Sequence, residues 1–107
     1  MNWQKYRTVT LEDIEKYWDL ATIAKEIKRA IAKVDSGHYT AKDKRYVIKL
    51  VRILMKKIEE LSKYVNIERS AAIDDLIAIK NMLKSSPRFS YTGIAKEIDD
   101  FIVELLV

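Results

Sequence analysis

An all-α bundle of four helices is the fold class that three features of this chain predict. Apolar residues recur at steps of three and four along most of its 107 residues; Gly and Pro occur only three times in total; and all three, Gly37, Pro87 and Gly93, fall between periodic segments. The helices are expected at about 10–35, 40–65, 67–84 and 92–106, with short connections. At this length the chain buries one core, so residues 1–107 read as a single helical domain with 1–9 as a short N-terminal arm.

The first helix begins after Thr10, whose hydroxyl caps the amides that follow, with Asp13 at the third helical position completing a capping box. Acids (Glu12, Asp13, Glu15) gather in its opening turns, and bases (Lys25, Lys28, Arg29, Lys33) lie later, as the helix dipole favours. Its apolar wheel is split. Leu20, Ala24, Ile27, Ile31 and Val34 form one seam, whereas Leu11, Ile14, Trp18 and Ala21 point elsewhere, which predicts contact with more than one partner.

Thr40 and Asp43 mark the start of the second helix in the same way, and Asn66 suits its left-handed end. The third contains Ala71, Ala72, Ile73, Leu76, Ile77, Ala78, Ile79, Met82 and Leu83, spread over much of its circumference, and is expected to be the most buried and central element. The fourth, capped by Ser90 or Thr92, turns Ile94, Ile98, Phe101, Ile102 and Leu105 inward and carries Glu97, Asp100 and Glu104 on another side. A five-residue echo, Ile23-Ala24-Lys25-Glu26-Ile27 against Ile94-Ala95-Lys96-Glu97-Ile98, stands alone, because nothing around the two copies aligns.

Net charge is +4, and its distribution is uneven. Residues 36–65 hold eight Lys or Arg against three acids, whereas 86–107 hold two against four. Lys42, Arg45, Lys49, Arg52 and Lys56 form a basic stripe of about 21 Å on the second helix, opposite Val47, Val51, Leu54, Ile58, Leu61 and Val65. Neighbouring like charges oppose helix formation by a few tenths of a kcal/mol per pair, so an acidic counterpart is expected. Phosphate is one candidate: Lys and Arg along a helix face neutralise nucleic-acid backbone without reading bases. Carboxylates such as Glu97, Asp100 and Glu104, from this chain or a second copy, are the other. Arg88 and Tyr91 in the last connection, near Phe89, and Trp3, Tyr6 and Arg7 in the arm, have the chemistry to stack on unpaired bases or to close the ends of a bundle.

Other function classes find less support. Thr92-Gly93-Ile94-Ala95-Lys96-Glu97-Ile98 resembles the opening of a helix-turn-helix, but Asp99-Asp100-Phe101-Ile102 continues the helix where a turn is required. The absence of Cys removes disulfides, thiolate zinc sites and thiol nucleophiles, and His38 is the only histidine, so no metal, cofactor or catalytic residue is implied. Glu59-Glu60 with Asp74-Asp75 is loosely similar to the magnesium motifs of small α-helical nucleotide pyrophosphohydrolases. That pattern asks for further glutamates where this chain has Lys63 and Ala71 or Ala72, leaving a magnesium-dependent hydrolase as the weakest alternative.

The last helix is apolar nearly all round, so Phe101, Val103 and Leu106, together with Trp18, are expected to contribute to an interface, a twofold dimer being the commonest form of self-association. No apolar stretch approaches the ~20 residues needed to span a bilayer, and no secretory leader is evident, which predicts a cytoplasmic protein without membrane contact. Abundant Ile, Lys and Glu with a single Gln resembles heat-adapted composition and predicts thermostability. The expected function is a small non-catalytic accessory protein that contacts nucleic-acid backbone; a homo-oligomeric adaptor or assembly subunit is the alternative.

Overall fold

The computed structural model describes residues 9–65 and 71–106, and within them every regular element is helical. There are five helices where four were expected: α1 (Leu11–Tyr17), α2 (Leu20–Asp35), α3 (Ala41–Ser62), α4 (Ala71–Ser85) and α5 (Ile94–Leu106).

The extra helix comes from a break in the segment expected to run unbroken over 10–35. Thr10 caps α1 as predicted, its hydroxyl accepting from the Asp13 amide at 3.1 Å while its own amide donates to the Asp13 carboxylate at 3.2 Å. Trp18 and Asp19 are then extended (φ −86°, ψ 140° and φ −78°, ψ 168°), and the Asp19 carboxylate accepts from the Thr22 amide at 2.7 Å, opening a new helix. This break explains the split wheel. Ile14 is buried from α1, which lies against α3, whereas Ile23, Ala24, Ile27, Ala30, Ile31 and Val34 are buried from α2 in a different direction.

Two αα-hairpins make the body. In the first, α2 and α3 run antiparallel, with Lys33 meeting Asp43 and Glu26 meeting Tyr46. In the second, α4 and α5 are joined through 86–93, and Lys80 reaches Asp99 at 2.8 Å. The hairpins pack with α2 against α4 and α3 against α5, so that α3 and α4 are diagonal. Both of these cross-hairpin pairs are parallel: Lys28 and Asp75 face each other partway along, Ser86 reaches Asp35 at the ends, and Arg52 meets Glu97. The Cα envelope is 43 × 37 × 17 Å, its thin dimension matching two helix layers.

The central element is α2, which packs on both α3 and α4, not α4 as expected. Alanines inflated that expectation. Alanine favours helix wherever it sits, so Ala71, exposed, and Ala72 and Ala78, half-buried, say little about burial; α4 buries one stripe, Ile73, Leu76, Ile79 and Leu83. The helix expected over 40–65 ends at Ser62, and Asn66 together with 67–70 of the expected third helix lies outside the described residues. The fourth starts at Ile94, its amide pointing to the Thr92 hydroxyl at 3.4 Å.

The two hairpin turns, 36–40 and 86–93, meet at one end of the bundle. Gly37 adopts φ 91°, the left-handed conformation that ends α2, and its amide closes onto the Val34 carbonyl at 3.1 Å. Opposite it, the buried Ser86 hydroxyl donates to Asp35 at 2.5 Å, Arg88 Nε donates to the Val34 carbonyl at 3.0 Å, and Phe89 is buried as the closing side chain. This junction fixes where the first turns of α3 lie.

Candidate nucleic-acid interface

The core face of α3 (Val47, Leu50, Val51, Leu54, Met55, Ile58) turns the five stripe residues outward, and all five are exposed. Side chains from other helices divide the row. Arg52 is bidentate to Glu97 of α5, Nε to Oε1 at 3.1 Å and Nη2 to Oε2 at 3.2 Å. Lys56 donates to Glu15 of α1 at 2.7 Å, and the Lys56 ammonium holds that carboxyl below its usual range. Lys42, Arg45 and Lys49 make no ion pair with any described residue. Among the described residues, the acidic counterpart expected for the whole stripe is thus present for two members and not for the other three.

Those three stand on the half of α3 nearest the turns. Across Lys42 to Lys49 the helix rises about 10 Å, so the unanswered charge is compact. Two carboxylates nearby are already engaged. Asp43 accepts from the Thr40 amide at 2.8 Å and from Lys33 at 3.2 Å, and its carboxyl is held low by the Thr40 amide first and Lys33 second. Glu26 is forked to Arg29 at 2.5 and 3.0 Å and also accepts from the Tyr46 hydroxyl at 2.6 Å. Neither is free to neutralise the row.

The two predicted loop residues have different fates. Arg88 is half-buried, spends its Nε on the Val34 carbonyl, and stacks with its guanidinium carbon 4.9 Å from the centre of the Tyr39 ring, so it works as a clamp between the turns. Tyr91 is 73% exposed. Its hydroxyl accepts from Lys44 of α3, whose ammonium also lies over the ring, 4.6 Å from its centre, as a cation–π contact. Lys44 was absent from the sequence-level candidates. The only available signal was its place beside Arg45 on the rim between stripe and core.

The predicted interface residues also separate. Trp18 and Phe101 are half-buried and pack against the core, whereas Val103 and Leu106 remain 60% and 43% exposed on one face of α5. They lie at the end of the bundle away from the turns. An open apolar groove of about 400 Å³ is found at that end too, lined by Trp18, Leu20, Leu61 and Tyr64 with Asp19, Lys57 and Glu60. Glu59 and Glu60 sit on α3 and Asp74 and Asp75 on the diagonal α4, with Asp75 paired to Lys28 at 3.0 Å; among the described residues no three acids or histidines converge on a possible metal position. Trp3, Tyr6 and Arg7 lie outside the described residues, and no described helix is long and apolar enough to cross a membrane. Comparison with protein-family models, with curated proteins and with solved structures finds no match.

Proposed function

We propose that this protein is a small non-catalytic accessory protein that binds nucleic-acid backbone through α3, with Lys42, Arg45 and Lys49 as the contact residues and no sequence-specific readout. One observation carries the reading. Of the five stripe cations, Arg52 and Lys56 are answered by carboxylates of other helices, while Lys42, Arg45 and Lys49 have no ion-pair partner among the described residues. Unanswered like charges on adjacent turns cost helix stability in isolation, and a phosphate chain relieves that repulsion while releasing its own counterions.

Fluorescence anisotropy with labelled mixed-sequence DNA and RNA tests the proposal. Apparent affinity is expected to fall steeply with added salt, Arg45→Glu with Lys49→Glu to abolish binding, and Arg52→Gln with Lys56→Gln to weaken it only slightly. Affinity that ignores salt, or that survives the charge reversal, removes the reading.

The adaptor or assembly-subunit reading draws on the other end of the molecule, where Val103, Leu106 and the groove beside Trp18 leave apolar surface open. It requires a discrete oligomer by native mass spectrometry, reduced to monomer by Val103→Glu with Leu106→Glu. A strictly monomeric wild-type protein at high concentration counts against it.

A further inference from the structure

We infer that the ligand of the basic row is single-stranded nucleic acid, with Tyr91 as the platform on which one unpaired base stacks; the inference rests on the polyanion reading above and specifies its substrate class. Tyr91 is a large aromatic side chain on a tight turn that gives its own protein almost no burial. Its neighbour on that turn, Phe89, is buried as a core residue, so closing the bundle end does not need Tyr91. Yet Tyr91 is positioned. The 86–93 turn is pinned by Ser86 to Asp35 and Arg88 to Val34, and the Tyr91 hydroxyl is tethered by Lys44, one residue before Arg45. Lys44 lies over one face of the ring, and with the side chain 73% exposed a base can stack on the other.

The geometry separates the two forms of nucleic acid. A duplex keeps its bases stacked on one another, so a tyrosine beside its backbone meets groove edges or phosphates and gains nothing from a clear ring face. A single strand can lay phosphates along Lys42, Arg45 and Lys49 and turn a base around the α3 rim onto Tyr91, which Lys44 ties to that helix. Base–aromatic stacking and a short basic track are the two components of sequence-tolerant single-strand binding, and they stand next to each other here.

The test measures anisotropy of a labelled 20-nucleotide mixed-sequence single strand and of its duplex, with the full chain and with Tyr91→Ala, Tyr91→Phe and the Arg45→Glu, Lys49→Glu double variant. The single strand is expected to bind about tenfold more tightly than the duplex. Tyr91→Ala should lose about tenfold on the single strand and change duplex binding little, whereas Tyr91→Phe, which keeps the ring, should stay close to wild type. Circular dichroism melting of each variant guards against misfolding, and an exposed tyrosine should leave the melt unchanged. Equal affinity for both forms, or a Tyr91→Ala variant that binds as wild type does, overturns this inference while the polyanion reading survives through the charge-reversal result. Binding of neither form by the wild type overturns both.

Discussion

Glu26 shows how single residues couple α2 to α3 while leaving the basic row alone. Its carboxylate takes the Arg29 fork and the Tyr46 hydroxyl, with Arg29 as the largest influence lowering its pKa and partial burial opposing it. Tyr46 is affected in turn. Burial first, and the adjoining Glu26 carboxylate second, raise its ionisation well above the ordinary tyrosine value. Since a raised folded pKa contributes stability that is complete below the unfolded value, near pH 10, and is lost above it, alkali should unfold the protein partly through this side chain. Tyr46→Phe is expected to cost about 1–2 kcal/mol at neutral pH, a drop of about 5–10 °C in Tm for a domain of this size, and to flatten the fall in Tm between about pH 9.5 and 11. Carboxyls behave oppositely. Those of Glu15, lowered chiefly by Lys56, and Asp99, lowered chiefly by Lys80, contribute above the unfolded value near pH 4 and cease to do so as pH falls through their folded values. Thermal melts across pH 2–6 should therefore lose stability steadily toward acid, and less steeply in a Lys80→Gln variant.

The helices were legible where periodicity and caps agreed, and less so where two short helices mimic one long one. Thr10 with Asp13 and Thr40 with Asp43 sit at real helix starts because the capping box is a local interaction, complete within four residues. Asp19 heads a start just as real, but it lies inside an apolar pattern that hides it. The split wheel is the trace of that break, since a single helix touching two partners produces the same pattern. Removing the cap tests the joint: Asp19→Ala should lower Tm and fray the first turn of α2, measurable by amide exchange at Thr22, with Asp19→Asn retaining most of the effect. The repeated pentads also gain a physical account. Ile23 and Ile27 on α2, and Ile94 and Ile98 on α5, are all buried, and both helices flank α3, to which Glu26 and Glu97 offer carboxylates. Similar demands on two helices flanking a third account for the likeness. Ile27→Ala, at the middle of the central helix, should cost about 2–5 kcal/mol, because the side chain is fully buried and its removal leaves a cavity in the core.

Across the whole molecule, the unpaired cations of the stripe and a set of unpaired acids stand at opposite ends of the bundle axis, with exposed apolar surface on the acidic end. Lys42, Arg45 and Lys49 lie toward the turns; Glu59, Glu60 and Glu104, which have neither ion-pair nor side-chain hydrogen-bond partners among the described residues, lie toward the other end with Val103 and Leu106. The stripe itself was legible because five cations at helical spacing need only one helix to align them. Its division was not, since Glu15 and Glu97 are 41 and 45 residues from their partners and only tertiary packing brings them there. The division has a measurable consequence. For a single strand the logarithm of affinity falls with the logarithm of salt by about 0.7 per phosphate neutralised, so three free cations predict a slope of about −2 and all five about −3.5. If Arg52 and Lys56 stay with Glu97 and Glu15 in the complex, the wild-type slope is about −2, and Arg52→Gln with Lys56→Gln leaves it unchanged. If phosphates displace those carboxylates, the slope steepens and the same variant restores it to about −2, so one titration series distinguishes a footprint confined to the turn end of α3 from one along the whole helix.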